Sequence, residues 1–502
     1  MELEFETKQL SYWKNAFCHT AAQEQTQEVI VPDSFPDAAR VVSCIAQAVL
    51  RSKEIRDGSA VITGAIRASC LYVAEQEQTP RTLDAYFPFS LRIDEPALTQ
   101  QMKTVLELRI NAADARLINS RKVLIRIGLG CRMTGYEDTI ETYQTIKNVP
   151  ERVQIHEMTY HMRLPAAIAE KPFSFSEELE LPTSRPPVGT LAGYTVALNV
   201  TEQRVVGARA AFKAEAALKL LYLTPDGIPE VFTQSIPFSQ FCELGEEVSD
   251  DECDIQLVLT GAELELQGSE EEKQLLLQMD LLAQCVVYGV QDVTVCDDAY
   301  AVGGELKTKW QEMTVSARLD RQSFAENVRE SVDGDVRAIA DSTAYPGFPV
   351  VRREGDCAQI SFPITVNILA YDKDGNLQLL NAKTESNCKT ALCADCRCVA
   401  QGELMPDGFV SPGPRGAELR YETKLTVSCF AAQTLRTLQA ADFEKDEAKR
   451  HGRPAIVLRR TAEATSAWEI AKQYQTGVDA ILRANELNTQ EVGAGTMLLI
   501  PM

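Results

Sequence analysis

Three stretches of this chain lie over one another: VLIRIGLGC (Val123–Cys131), LLLQMDLLAQC (Leu275–Cys285) and LRYETKLTVSC (Leu419–Cys429). Each alternates with period two. Val123, Ile125, Ile127, Leu129 and Cys131 form one face, Leu275, Leu277, Met279, Leu281, Ala283 and Cys285 the second, and Leu419, Tyr421, Thr423, Leu425, Val427 and Cys429 the third. Alternation of this kind specifies a half-buried strand, because successive side chains leave opposite faces of the backbone. Each stretch closes on a cysteine that faces the core.

The likeness extends upstream. An apolar strand ends SCLYV, KLLYL or NILAY, and Leu71, Leu221 and Leu369 precede the three cysteines by 60, 64 and 60 positions. Between them, FPFSLRI in the first copy answers IPFSQFC in the second; the third has no clear counterpart. TPDGI at Thr224 and DKDGN at Asp372 follow the long strand in copies two and three, and MPDGF at Met405 punctuates copy three again. Asp-Gly supplies the positive φ that tight hairpins need. The expected fold class is mainly β. Antiparallel modules span 1–150, 151–321 and 322–443, with a charged linker at 444–454 and a small α+β unit at 455–502. AARVVSCIAQAVLRSKEI, from Ala38, fits a strand or a helix.

The bulk numbers limit function. The chain has 502 residues and a formal net charge of −22. Nucleic-acid binding needs a basic surface, so it is not expected. The same charge disfavours docking on anionic lipid, and no apolar run is long enough for membrane insertion. The acidic start, MELEFETKQL, lacks the apolar core of a secretory signal, so a cytosolic location is expected. A reducing compartment then makes the fourteen cysteines buried thiols rather than disulfides.

Several motifs invite chemistry. HEMTYH (His156–His161) spaces its histidines by five, whereas the zinc protease motif requires i and i+4 on a helix; on a strand this spacing puts the rings on opposite faces. CKTALCADCRC gathers Cys388, Cys393, Cys396 and Cys398, a weak metal candidate by thiolate count. The alternation in CRCVA favours buried strand thiols instead. DKDGN resembles the start of a calcium loop, but its twelfth position is Lys383 where a bidentate Glu is needed. Asp297–Asp298 reads as a turn or surface pair. With four histidines, no phosphate loop and no Gly-x-Ser-x-Gly elbow, neither an enzyme nor a cofactor is expected.

The last unit reads strand, helix, helix, strand. AIVLRR opens it. TSAWEIAKQYQ places Trp468, Ile470, Ala471 and Tyr474 at helical spacing, with Ser466 or Thr465 as cap and Gly477 as stop. GVDAILRANELN is a second helix, and TMLLIPM closes the sheet. Trp468 is the expected core anchor.

These residues resemble a LysM domain. Trp468, Ile470, Ala471, Tyr474, Asn485, Leu487, Ile500 and Pro501 match its pattern. The usual Gly-Asp-Thr before the first helix is Ala464-Thr465-Ser466, a departure in the loop that shapes the family's N-acetylglucosamine groove. The stretch VIVPDSFPDAARVVSCIAQAVLRSKEIRDGSAVITGAIRASCLYV (Val29–Val73), with Gly64 and Leu71-Tyr72-Val73, resembles the SPOCS family of endospore-forming Firmicutes. So does VTVCDDAYAVGGEL (Val293–Leu306).

The combination is similar to spore coat morphogenetic proteins. That resemblance implies a non-enzymatic scaffold in the mother-cell cytosol at the forespore surface. Its implied partners are the coat basement-layer ATPase, gripped by the LysM, and other coat proteins. The alternative is binding of peptidoglycan, an N-acetylglucosamine chain. Either ligand is expected at Ala464, Thr465, Ser466, Arg483, Asn485, Glu486 and Asn488.

Overall fold

The computed structural model describes residues 3–75, 79–248, 252–268, 273–392, 395–445 and 454–502. The first copy contains β1 (Glu4–Ile30), β2 (Ala38–Arg56), β3 (Ser59–Ala74), β4 (Pro80–Asp94), β5 (Lys103–Asn119) and β6 (Lys122–Asn148). The second contains β7 (Val153–Leu179), β8 (Thr190–Val206), β9 (Arg209–Leu223), β10 (Pro229–Glu243), β11 (Glu252–Gly268) and β12 (Lys273–Ala301). Their topologies coincide. The long first and last strands pair, in the orders β1-β6-β5 and β7-β12-β11, and the three middle strands form β2-β3-β4 and β8-β9-β10.

The third copy repeats the plan with two strands broken. It comprises β13 (Gly304–Asp333), β14 (Ala338–Pro346), β15 (Val350–Glu354), β16 (Cys357–Tyr371), β17 (Leu377–Ala391), β18 (Cys396–Leu404), β19 (Phe409–Gly413) and β20 (Gly416–Lys445). Strands β14 and β15 flank one side of β16, and β17 the other; β18 and β19 both pair with β20. The breaks fall at Gly347–Pro349 and Pro406–Gly408, where proline withholds a ladder N–H.

The boundary expected at 321/322 lies inside β13, which pairs with β20 from Gly304↔Lys445 to Asp333↔Gly416. The sequence repeat rests on closing strands and hairpins; the opening strand β13 is mostly exposed and weakly periodic, so it left no mark. Most of the expected linker (446–453) lies outside the described residues. The segment from Ala38 is strand. The Pro-Phe-Ser element also has a third counterpart: Pro88 pairs with Ala65, Pro237 with Glu215, and Glu385 with Pro363. The proline has changed strands, which hid the match.

Each module is a two-sheet sandwich whose core is the alternating face read above. Val123, Ile125, Ile127, Leu129 and Cys131 are fully buried, as are Leu277, Ala283 and Cys285. Gly64 lies under the Phe89 ring and against the Val49 carbonyl, and a Cβ there would overlap both. Two of the three Asp-Gly turns occur as expected: Gly227 and Gly375 have φ of 78° and 88°, and Asp372 Oδ1 accepts from Asn376 N at 2.7 Å. DKDGN is thus a closed hairpin. MPDGF differs: Gly408 is not at positive φ, and the segment joins β18 to β19, which both pair with β20 instead of with each other.

The long strands reach 27 to 30 residues, roughly 100 Å at the usual rise. Each pair carries a bulge that skips one residue of its first strand: Ala16, Ala166 and Leu319. A bulge bends the strand and re-aims the residues beyond it. One half of each pair covers its own module. The other half packs on its equivalents in one cluster that includes Leu10, Tyr143, Met162, Val293, Val315 and Leu435.

Polar contacts tie the copies pairwise. Copies one and two are joined by Gln284, which donates to Leu106 O and accepts from Leu106 N, both at 2.8 Å. Arg67 donates to Tyr194 O and lies 3.4 Å over its ring. Copies two and three are joined by Arg318, in contact with Asp254 at 2.9 Å and Glu252 at 3.0 Å, and by Lys219 with Asp341 at 2.6 Å. Between three and one, Arg109 donates to Gly347 O and Gly402 O, and Asn367 to Ala113 O. Leu71, Leu221 and Leu369, equivalent positions of the three copies, meet in one apolar cluster. The three modules therefore close on one another.

The terminal unit contains β21 (Ile456–Arg460), β22 (Thr465–Ser466), α1 (Ala467–Tyr474), α2 (Val478–Ala484), β23 (Glu491–Val492) and β24 (Met497–Pro501). Strand β21 pairs with β24, and β22 with β23. Ser466 caps α1 by accepting from Glu469 N at 3.1 Å. The stop differs from expectation. Gln475 holds the left-handed conformation at the C-cap, and Gly477 instead serves as N-cap of α2.

Candidate functional site

The terminal unit does not stand alone. The end of β12 (Cys296–Ala301) forms a seat for α1. Trp468 Nε1 donates to Asp298 Oδ2 at 2.9 Å, and Lys472 Nζ reaches the same oxygen at 2.6 Å. The Tyr300 hydroxyl donates to Thr476 O at 2.8 Å, and its ring lies 5.0 Å from the Trp468 ring, edge to face. His156, on β7, stands with its ring 5.3 Å from that of Trp468 and is hydrogen-bonded to Asp297 at 2.6 Å.

Tyr300 and Val302 belong to the same apolar cluster as Trp468, Ile470, Ile481, Leu498 and Ile500. Trp468 is the core anchor that helical spacing predicted, but the core is completed by residues of the second copy. Burial pushes the Asp298 carboxyl up. The hydrogen bonds from Lys472, Trp468 and the Ala299 backbone, with the Lys472 charge, outweigh it and hold the group below the usual carboxylate range.

Asp297–Asp298 is thus no surface pair: one carboxylate orients His156 and the other receives the indole and ammonium of the terminal unit. His161 meets Asp292 at 2.6 Å, so each histidine of HEMTYH has its own carboxylate on β12. One clue to Asp298 was present in the sequence. It lies in VTVCDDAYAVGGEL, whose resemblance had no assigned purpose.

The expected ligand residues divide. Thr465 and Ser466 are half-buried in β22, and Ser466 Oγ is committed to the cap. Asn485 points the other way. Its amide donates to Ile481 O and Leu499 O and accepts from Leu499 N at 2.7 Å. It is a strut between α2 and β24. Ala464, Arg483, Glu486 and Asn488 are exposed. Among the described residues no hydrogen bond or ion pair joins the last three side chains to the Ala464–Ser466 segment.

The terminal unit has a second exposed feature, which periodicity did not reveal. The β21–β24 sheet turns Val457, Leu498 and Ile500 inward. Its outer face presents Ile456, Leu458 and Met497, exposed by 56%, 70% and 61%. Leu458 lies opposite Leu499, and Ile456 opposite Pro501.

The cysteines of CKTALCADCRC do not converge among the described residues. Cys388 is buried in the third core, Cys398 lies against Cys429, and Cys393 falls outside the described residues. Cys396 is disulfide-bonded, which corrects the reading of all cysteines as thiols and removes one candidate metal ligand. Where the three copies meet, a cavity of about 80 Å³ is lined by Arg132, Asp254, Tyr288 and Phe430 among others. This is room for a few waters.

The fold and this junction define a protein of three β modules with a LysM unit fastened to the second. Family models agree. The model described as SipL, SPOCS domain matches residues 37–118, and the LysM domain model matches 466–501. The first match covers β2 to β5; the same strand plan recurs in copies two and three. No curated protein and no solved structure matches the chain. The chain therefore carries a SPOCS domain and a terminal LysM domain, a pairing that supports a sporulation-related protein with a module of the peptidoglycan-binding type. No helix among the described residues is long and apolar enough to cross a membrane.

Proposed function

We propose that the chain is a non-enzymatic scaffold of the spore envelope in the mother-cell cytosol, at the forespore surface. The three modules form its body and recruit other coat proteins. The LysM unit docks onto the ATPase of the coat basement layer. The observation that carries this reading is the outer face of the β21–β24 sheet. Large apolar side chains exposed side by side favour burial against a protein, whereas a sugar chain needs an array of polar partners. The loss of Gly-Asp-Thr and the commitment of Ser466 and Asn485 to internal bonds support the same direction.

Peptidoglycan binding is the second reading, favoured by the LysM match and by the exposed Arg483, Glu486 and Asn488. One experiment separates the two. The full chain, a Leu458→Asp/Met497→Glu variant and an Arg483→Ala/Asn488→Ala variant are tested against the purified coat ATPase and against purified peptidoglycan. The proposal expects ATPase binding that drops at least tenfold in the first variant only. Retention on peptidoglycan alone, lost in the second variant, replaces it with the glycan reading.

A further inference from the structure

Two cysteines of the third copy are placed for a reaction that neither domain requires. Cys398 on β18 and Cys429 on β20 are direct cross-strand partners, and their sulfurs lie 2.8 Å apart. Directly opposed antiparallel residues have Cα atoms about 4.5 or 5.5 Å apart. Both values lie within the roughly 4.4–6.8 Å that a disulfide spans. The sulfurs need approach by only about 0.8 Å to reach bonding distance, so side-chain rotation suffices.

Other cysteine pairs differ in access. Cys44 and Cys70 are also cross-strand partners, 3.6 Å apart, but both are fully buried. Cys253 and Cys285 are buried as well. Cys398 and Cys429 are half-exposed. The neighbouring Cys396 already takes part in a disulfide.

We infer that Cys398 and Cys429 are a modification site that closes into a disulfide by exchange with a small-molecule disulfide, clamping β18 to β20. Burial, the Cys429 hydrogen bond and the Cys429 charge push the Cys398 thiol up to about 12. The same exchange can begin at either sulfur; in one order Cys429 attacks first. Its thiol gives a proton to water, and the thiolate attacks the small disulfide. A mixed disulfide forms on Cys429 and one small thiolate leaves. Cys398 then loses its proton to solvent and attacks the Cys429 sulfur, and the second small thiolate departs. The two cysteine sulfurs are oxidised by two electrons in total, and the small disulfide is reduced to two thiols.

The crosslink encloses the turn at Pro406–Gly408 and strand β19. It fixes β18, whose Ala400 carbonyl accepts from Arg132 of the first copy at 2.8 Å. Oxidation would thereby lock one of the contacts that closes copy three on copy one.

The test uses the native full chain after mild reduction, incubated with oxidised glutathione at mildly alkaline pH and mapped by mass spectrometry. Cys357, exposed and with no cysteine in contact among the described residues, serves as an internal control. The expected result is a Cys398–Cys429 crosslinked peptide pair lighter by two hydrogens, with a glutathione adduct on Cys357. The Cys398→Ser variant should hold a lasting adduct on Cys429. The inference is overturned if both cysteines stay as thiols, or keep separate adducts, while Cys357 reacts. A crosslink from either to a third cysteine overturns it too, as does an unmodified Cys429 in the Cys398→Ser variant.

Discussion

The Trp468 indole N–H points at the Asp298 carboxylate across 170 residues of sequence, at 2.9 Å. This bond joins the anchor of the LysM core to the end of the long β7–β12 ribbon. Trp468 is 7% exposed, so its N–H needs a partner to be buried at all. The acceptor is not in its own unit.

Asp298→Ala should therefore loosen the LysM unit from the second module. It leaves a buried indole N–H and the Lys472 ammonium without their acceptor, a loss of about 2–3 kcal/mol. Hydrogen exchange should accelerate in the peptides of β12 after Cys296 and in α1, with the distant first module unchanged. Unaltered exchange at both places would show that Tyr300 alone suffices.

The same carboxylate gives a pH dependence. Its folded pKa lies below the ordinary aspartate value of about 3.9, so its contribution is present above that value. It is lost as the pH falls through the lower folded pKa. Exchange protection of α1 should stay flat from neutral pH down to about 4 and fall below it. In Asp298→Asn this acid step should vanish.

Arg318→Ala should weaken the contact between copies two and three. The guanidinium side chain is 1% exposed, bridges Glu252 and Asp254, and lies 3.4 Å over Tyr288. Removing it leaves two half-buried carboxylates, with Arg321 still beside Asp254 at 3.0 Å and Arg163 beside Glu252 at 2.5 Å. The expected destabilisation is about 3 kcal/mol, read as a lower urea midpoint. Arg318→Lys should recover only part of it, since one ammonium cannot fork between two carboxylates.

Gln284→Ala tests the contact between copies one and two. Gln284 is fully buried and satisfies both backbone groups of Leu106. Truncation orphans an N–H and a C=O in the interior, for about 2–4 kcal/mol. Gln284→Glu should be no better, because a carboxylate cannot donate to the Leu106 carbonyl. Urea unfolding followed by circular dichroism gives the value.

Asn485→Ala should lower the stability of the LysM unit by about 2–3 kcal/mol, since Asn485 makes three hydrogen bonds to Ile481 and Leu499. Faster hydrogen exchange in α2 and β24 reports it. A change in ligand affinity without any change in exchange would return Asn485 to the ligand surface.

The alternating faces around Cys131, Cys285 and Cys429 determined three buried strands, because period two admits one face to a core and leaves the other wet. The Asp-Gly turns at Gly227 and Gly375 set the hairpins β9–β10 and β16–β17, and Ser466 the start of α1. These are local rules, satisfied within a few residues. The start of the third module at Gly304 was not legible, for β13 is recognised only through its partner β20. The shifted proline, Pro363 for Pro88 and Pro237, hid a strand whose identity lies in register. Asn485 and the exposed groups beside it look alike as polar letters; only packing made one a strut. The seating of Trp468 on Asp298 and Tyr300, the sulfur contact of Cys398 with Cys429, and the closure of three copies through Gln284, Arg318 and Arg109 were decided by tertiary structure. They join residues far apart in the chain, and they are selected because polar groups buried when the modules pack must find partners there, which no local pattern encodes.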